Sequence, residues 1–337
     1  MVTEDERVTV SQRTGGKTFE SRLQEIVASI DSPGTQSSIE RVILAGGTSW
    51  HGLVEILQDT QQSRELRYTV AWLLPRLGGW RAVPPLLSVA TNTNDDSELR
   101  QECVRQCRFL NHKQAVPALI ALLQMDPDPK VREAAAYGLG SALNGRKQVT
   151  EALLQTLGDQ AEDPEVRAQA AEALGDLWEP VGRRPPPFID DLVAVLEEPS
   201  AEIRFWAAFA LSKLGDERIV PALEHLAGSD DRIVPHWWSV KHEAIMGIAR
   251  ILQRRKRLPE AEAMYRRVLA DDLEEVPVFQ FGVLDDLADL LRNQPDREAE
   301  ARELHRQAMD LASRRGFQLL GHPHDDWESA PDDEAAR

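Results

Sequence analysis

The chain contains the stretch Asp128-Pro129-Lys130-Val131-Arg132-Glu133-Ala134-Ala135-Ala136-Tyr137-Gly138-Leu139-Gly140, and a close copy follows as Asp163-Pro164-Glu165-Val166-Arg167-Ala168-Gln169-Ala170-Ala171-Glu172-Ala173-Leu174-Gly175. Weaker copies keep a basic residue at the same place, so that basic residues recur every 32 to 37 residues. A period of this length is typical of a repeat array, in which each copy is one supersecondary unit. The six basic residues are Arg67, Arg100, Arg132, Arg167, Arg204 and Lys241.

The residues around each basic residue predict a helix. In five of the six copies an Asp or Ser stands four residues earlier, where its side chain can cap the first turn, and Trp237 stands there in the last copy. The third, fourth and seventh residues after the basic residue are apolar in every copy, and they share one helix face. We expect this face to form the core. Its members are Val70, Ala71, Leu74, Cys103, Val104, Cys107, Ala135, Ala136, Leu139, Ala170, Ala171, Leu174, Ala207, Ala208, Leu211, Ala244, Ile245 and Ile248.

Another apolar segment precedes five of these helices. Several of these segments carry Pro near their start, where a helix tolerates it because the first amides have no intrahelical partner. Each repeat is therefore predicted to be a helical hairpin, and the protein to be all-α, because no segment alternates over the length of a strand. The five segments are 82–87, 115–120, 149–154, 188–193 and 219–223.

This pattern resembles HEAT repeats, in particular the variety named after phycobilin lyases, over about residues 62–252. The resemblance implies a right-handed α-solenoid whose second helices line the concave wall. Residues 19–61 lack the repeat signature and are predicted to form an N-terminal helical cap.

Beyond Leu252 the period changes. Residues 260–268 align with residues 300–308, forty residues later, and the pattern is similar to tetratricopeptide repeats of the kinesin-light-chain type over 242–316. The helix at 242–252 is expected to serve both repeat types, so that the solenoid continues without a linker. The leader 1–18 and the acidic tail 322–337 show little periodicity and are predicted to be disordered.

Composition excludes several classes of protein. The 337 residues carry 39 basic and 56 acidic side chains, and a net charge of -17 disfavours binding to a nucleic-acid backbone. No apolar run approaches the roughly 20 residues that a membrane-spanning helix needs. The acidic N-terminus lacks the apolar segment of a secretory signal, and the two cysteines cannot form a disulfide framework. We therefore expect a cytoplasmic protein.

Few side chains suggest chemistry. Gly15-Gly16-Lys17-Thr18 matches the end of a phosphate-binding loop, but a βα unit is missing around it. Cys103 and Cys107 fall on the core face, which favours buried structural thiols over metal ligands. HEAT-like deoxyhypusine hydroxylases hold two irons with several His-Glu pairs, whereas this chain has only His242-Glu243 in that register. His322-Pro323-His324-Asp325-Asp326 is an incomplete ligand set.

These observations predict no catalytic residues, no metal and no cofactor. The basic cluster Arg250, Arg254, Arg255, Lys256 and Arg257 is interpreted as the solvated end of a helix, where cations complement the helix dipole. A local contact of this cluster with nucleic acid stays open as an alternative.

The best functional signal is a set of outward-facing positions. The fifth residue after each basic residue lies nearly opposite the core face, and four of these six residues are large and apolar. With aromatic residues one and two places after the basic residue, they predict a protein-binding groove on the concave wall. The predicted groove residues are Tyr68, Trp72, Arg105, Tyr137, Glu172, Phe205, Trp206, Phe209 and Met246. Packing of these rings against neighbouring repeats is the alternative interpretation.

The leading hypothesis is a non-enzymatic scaffold or adaptor that binds a peptide or protein segment in this groove. The negative charge favours a basic or amphipathic partner. Two alternatives stay open: a bilin lyase or chaperone, which the resemblance to phycobilin-lyase repeats implies, and a regulatory subunit of a larger bacterial signalling or defence complex.

Overall fold

A computed structural model describes residues 19–28, 33–108, 114–142, 144–177, 186–292, 294 and 296–316. Within these ranges the chain is α-helical and contains no strand, and its one β feature is an isolated bridge between Ile233 and Ser239. The all-α prediction is confirmed. The predicted disordered ends and the sequence motifs at 15–18 and 322–326 lie outside the described residues. The chain divides after Leu177 into two compact units.

The first unit contains ten of the described helices. They are α1 (Phe19–Ala28), α2 (Pro33–Leu44), α3 (Trp50–Gln58), α4 (Arg64–Gly78), α5 (Val83–Ala90), α6 (Ser97–Cys107), α7 (Ala115–Met125), α8 (Pro129–Leu139), α9 (Arg146–Gly158) and α10 (Pro164–Leu177).

Helices of the first unit pack as stacked hairpins. The pairs α3–α4, α5–α6, α7–α8 and α9–α10 are antiparallel neighbours, and the second helices α4, α6, α8 and α10 form one continuous layer. Both α1 and α2 pack against α4. The sequence placed α3 in the cap, but in the structure α3 is the first helix of a hairpin with α4.

The second unit contains α11 (Ile189–Ala194), α12 (Ala201–Leu214), α13 (Val220–Ser229), α14 (Val240–Arg254), α15 (Leu258–Leu269), α16 (Pro277–Arg292) and α17 (Glu298–Arg315). The pairs α11–α12 and α13–α14 repeat the hairpin arrangement, and α12 packs against α14. Helix α14 also packs against α15, and α16 against α17. Assignment of α14 to α17 to tetratricopeptide-type repeats stays a prediction.

The predicted core face is confirmed. All eighteen apolar positions of the six copies are buried, with at most 1% of any side chain exposed. Small residues on this face let the second helices approach closely: a Cβ atom added at Gly140 would lie 3.1 Å from the Cα atom of Ala173 on the next second helix. Cys103 and Cys107 are free thiols within this core, and burial raises the pKa of Cys107 to about 12. Their predicted structural role agrees with this position.

Helix caps occur where the sequence places them in five copies. Ser63 and Asp96, for example, accept hydrogen bonds from the amides of Leu66 and Leu99 at 3.3 and 2.9 Å. The last copy differs, because α14 begins two residues later than its register predicts and Ser239 caps it by accepting from the amide of His242 at 3.2 Å. Trp237 is therefore not the N-cap residue of α14 and belongs to the preceding loop.

The recurring basic residue has a role that the sequence did not reveal. Arg67 is buried on α4 and donates from Nε to the carbonyl oxygen of Leu57, 2.8 Å away, at the end of the first helix of its own hairpin. Its other two nitrogens bind the carboxylate of Asp95 in the next repeat at 2.7 and 2.6 Å. Arg100 makes the equivalent contacts with the carbonyl oxygen of Ala90 and with Asp126. Arg67 and Arg100 thus each tie one repeat to the next.

The same contacts recur along both units. Arg132 binds Glu162 through two nitrogens at 2.9 and 2.7 Å, and Arg204 binds Asp230 at 2.7 Å. Lys241 binds Asp271 at 2.7 Å. The acidic partner lies 26 to 30 residues after the basic residue in each case. We call this series of contacts the inter-repeat ladder.

The ladder predicts how stability depends on pH. Hydrogen bonds from Arg67 hold the pKa of Asp95 below its ordinary value, so folding favours the ionised carboxylate. The stabilisation is therefore complete above the unfolded pKa of Asp95, about 4, and is lost as pH falls through its lower folded pKa. Urea unfolding at a series of acidic pH values should show stability falling with pH. An Asp95→Asn variant should show a shallower fall, and an equal slope for both proteins would contradict this assignment.

Candidate protein-binding surfaces

The predicted groove residues fall into both units. In the first unit Arg105 and Tyr68 are exposed, and Trp72, Tyr137 and Glu172 are half-buried. They lie on the second helices, on the side away from the core, and we call this surface the second-helix face. Its residues keep the outward register that the sequence predicted, while their binding role stays a prediction.

Polar contacts cross the second-helix face from repeat to repeat. The Tyr68 hydroxyl donates to a carboxylate oxygen of Glu102 at 2.9 Å, and Gln106 donates to the other oxygen at 2.7 Å. Burial and the carboxylate of Glu102 raise the pKa of Tyr68. The guanidinium carbon of Arg76 lies 3.7 Å from the centre of the Trp72 ring. One face of this indole is therefore already occupied by a cation.

Tyr137 has a similar environment. The guanidinium carbon of Arg108 lies 3.7 Å from the centre of its ring, and Arg108 also binds Ser141 at 2.7 Å and Asp176 at 3.3 Å. Glu172 accepts a hydrogen bond from Gln169 at 2.6 Å. The second-helix face is consequently a charged, hydrogen-bonded surface in which arginines cover the rings, rather than the open aromatic stripe that the sequence predicted.

Aromatic side chains gather in the second unit. Their rings are 4.3 to 6.0 Å apart, mostly edge to face, which is the favoured arrangement for aromatic pairs. Trp238 stacks on Phe279 of α16 at 4.3 Å. The set, called the aromatic cluster below, consists of Phe205, Trp206, Phe209, Trp237, Trp238 and Phe279.

Three predicted groove residues of this unit are not on the surface. Phe205 is 1% exposed, Trp206 is 8% exposed and Met246 is 1% exposed, which corrects the expectation that they face an open groove. Rings of the following loop cover Phe205 and Trp206, and α14 has helices packed on more than one side. Phe209 stays half-buried, with the ammonium of Lys213 5.3 Å from its ring centre.

An extended loop carries two of the tryptophans. Ten residues, 230–239, join α13 to α14, whereas three to six residues join the helices within each hairpin of the first unit. Backbone hydrogen bonds close this segment, called the 230–239 loop below: the amide of Val240 donates to the carbonyl of Arg232 at 3.0 Å, and the amide of Lys241 to the carbonyl of Asp230 at 2.8 Å. Insertions in repeat proteins often form their binding surfaces.

The tip of the 230–239 loop is a tight turn. The amide of Trp237 donates to the carbonyl of Val234 at 2.9 Å, with Pro235 and His236 between them. Proline at the second position and a φ of 67° at His236 are features of a type II turn. The turn presents apolar surface to solvent, because Ile233 is 64% exposed and Trp237 is 41% exposed.

The basic cluster at the end of α14 is largely used within the fold. One nitrogen of Arg254 donates to the carbonyl oxygens of Ser212 and Lys213, both at 2.8 Å, at the end of α12. Arg257 pairs with Glu217 and Glu260. These arginines bind carbonyls of the neighbouring helix and nearby carboxylates, while residues 254–257 stay exposed, as the sequence predicted for this helix end.

The His242-Glu243 pair does not form a metal site. The Nε2 atom of His242 lies 3.0 Å from a carboxylate oxygen of Asp271, and Glu243 is fully buried among other partners. Within the described part of the chain, no cluster of three or more His, Cys, Asp or Glu side chains could hold a metal ion. In the same part of the chain, none of the helices combines the length and the apolar character that crossing a membrane requires.

The stacked helical hairpins carry their core, cap and ladder residues at matching positions. These features define a helical-repeat protein. The family model for HEAT repeats matches residues 51–140, 117–183 and 150–237, together more than half of the sequence. The chain belongs to the HEAT-repeat family. This model begins within α3 and ends before α14, so residues 242–316 lie outside it.

Three solved structures give further likenesses. The chain is similar to the complex of CpcE and CpcF of phycocyanin lyase from Nostoc sp. PCC7120, with 22% identity and a TM-score of 0.49 over 77% of this chain and 94% of that one. It is similar to the Escherichia coli protein YibA, with 18% identity and a TM-score of 0.46 over 82% and 96% of the two chains. Human deoxyhypusine hydroxylase in complex with glycerol is also similar, with 20% identity and a TM-score of 0.36 over 83% of this chain and 99% of that one. A search of curated proteins gives no match.

Proposed function

We propose that this protein is a non-enzymatic HEAT-repeat scaffold that binds a segment of a partner protein, and that the 230–239 loop with the aromatic cluster is the principal contact. One observation carries the proposal: an extended loop, closed by its own hydrogen bonds, exposes Ile233 and Trp237 beside a layer of packed rings. Rigid aromatic side chains are the usual energetic centres of protein interfaces.

The aromatic cluster is favoured over the second-helix face. The rings of Trp72 and Tyr137 each carry a guanidinium group on one face, so a partner would have to displace a cation–π contact to use that face. Trp237 instead packs edge to face on Trp206, with ring centres 5.0 Å apart, and retains exposed surface. A partner can therefore cover Trp237 without breaking an existing charged contact.

The partner is proposed to be an extended or helical segment with apolar anchors and basic or amphipathic flanks. An open apolar surface such as that of Ile233 and Trp237 suits such a segment better than a small molecule, which needs an enclosing pocket. A net charge of -17 would attract basic flanking residues during association.

Selection from a phage-displayed library of random peptides tests this function. We expect the full chain to enrich peptides that share apolar anchors, and Phe209→Ala to weaken their binding by about tenfold. Trp72→Ala and Tyr137→Ala serve as matched controls on the second-helix face and should leave affinity within about twofold. Loss of affinity in the controls but not in Phe209→Ala would assign binding to the second-helix face instead. Failure to enrich any peptide would contradict the proposal.

A further inference from the structure

A buried carboxylate lies beneath the 230–239 loop. Glu243, in the first turn of α14, is completely buried. One of its carboxylate oxygens accepts a hydrogen bond from the indole Nε1 of Trp238 at 2.9 Å. The other accepts from a guanidinium nitrogen of Arg250, two helical turns further along α14, at 3.2 Å. Neither oxygen is exposed, so both are satisfied by protein groups.

Trp238 connects this carboxylate to the exposed surface. Its ring stacks on Phe279 at 4.3 Å and meets the rings of Trp237 and Phe205 at 5.4 and 5.5 Å. Its carbonyl oxygen also accepts a hydrogen bond from the amide of Val234, across the turn of the loop, at 3.2 Å. Fixing the indole of Trp238 therefore fixes both the backbone of the turn and the orientation of Trp237.

We propose that Glu243 is a positioning residue, which locks the 230–239 loop through Trp238 in the conformation that presents Trp237 to a partner. This inference rests on the proposed function of the aromatic cluster. Burial of an ionisable group costs free energy of folding. Its best-attested role in proteins is to specify one conformation over others. Here that arrangement is the loop, because the ladder contact of the same repeat is made separately by Lys241.

The carboxylate suits this position better than an amide would. Two N–H donors bind it, one at each oxygen, and each needs an acceptor. A glutamine has the same shape but offers one oxygen and one NH2 group. Either the indole or the guanidinium would then face the NH2 group and lose its acceptor. Glu243→Gln therefore removes one of the two contacts without opening a cavity.

Amide hydrogen exchange, measured by NMR on the full chain, tests the proposal. In Glu243→Gln we expect exchange at the amides of Val234, Trp237, Val240 and Lys241 to increase by about tenfold or more, with a shift of the Trp238 indole resonance. Affinity for a peptide selected on the wild-type protein should fall by a similar factor. Trp238→Phe keeps the stacked ring but lacks the donor, and it should reproduce the loss.

Glu102→Gln is the matched control. Glu102 stands two residues after Arg100, as Glu243 stands two residues after Lys241, and it is also a buried carboxylate that accepts two hydrogen bonds. The Glu102→Gln substitution should leave amide exchange in the 230–239 loop and the peptide affinity unchanged. Unchanged loop exchange in both Glu243→Gln and Trp238→Phe, or an equal increase over all helices of the second unit, would overturn the positioning role. The proposed function would then still be judged separately, by the affinity of Trp237→Ala.

Discussion

Replacing Asp95 with Ala is expected to lower the free energy of unfolding by about 3–5 kcal/mol, a large share of the stability of a typical domain. Asp95 binds Arg67 through both oxygens, and the side chains of the two residues are only 4% and 5% exposed. Its removal leaves a buried guanidinium with a carbonyl partner but no counter-charge. The cost is therefore dominated by the uncompensated charge rather than by the lost contact.

Urea unfolding followed by circular dichroism at neutral pH measures this effect. Glu98→Ala is the control, since it removes a carboxylate that also binds an arginine of the previous repeat, Arg64, at 2.6 Å. Both members of that pair are exposed, with 49% and 68% of their side chains accessible, so its loss should cost less than about 1 kcal/mol. Similar losses in the two variants would show that the ladder contact adds nothing beyond a surface ion pair.

Replacing Trp237 with Ala is expected to weaken binding of a selected peptide by at least about 30-fold, corresponding to about 2 kcal/mol. The side chain combines a large exposed area with three aromatic neighbours that hold it in place. A ring fixed in this way loses little conformational freedom on binding, so more of its contact energy appears as affinity.

Isothermal titration calorimetry with the wild type and the variant measures the change. Trp80→Ala is the control, because Trp80 is 58% exposed and lies in the first unit. It receives the same substitution at a surface to which no binding role is assigned, so affinity should stay within about twofold. Full affinity in Trp237→Ala would remove the 230–239 loop as the principal contact.

The helices, their caps and their core faces were predictable from sequence. Helix periodicity and capping depend on residues within one or two turns, so the apolar face that includes Val70, Ala71 and Leu74 could be assigned before any tertiary contact was known. The exception is the last repeat, where the extended loop moves the helix start to Val240 and the cap to Ser239. A register extrapolated from other repeats does not anticipate an insertion.

The role of the recurring basic residue was only half visible in the sequence. Its period marked the repeats, but its partners lie in another helix and in the next repeat, as Leu57 and Asp95 do for Arg67. Helical periodicity carries no information on which side chains meet across such distances. Tertiary packing decided that Arg67, Arg100 and Arg204 form buried ion pairs at this position.

The candidate site was likewise predictable from sequence only in part. Sequence alone determined that the chain is a helical HEAT-type array and which side of each helix faces the core, because these properties follow from the spacing of apolar residues along one helix. It also placed Phe205, Trp206 and Met246 on the outward side. Only tertiary structure decided that neighbouring elements bury those three residues, and that Trp237 at the tip of the 230–239 loop keeps exposed surface. Burial of an outward position depends on what packs over it, and the periodicity of its own helix cannot encode that.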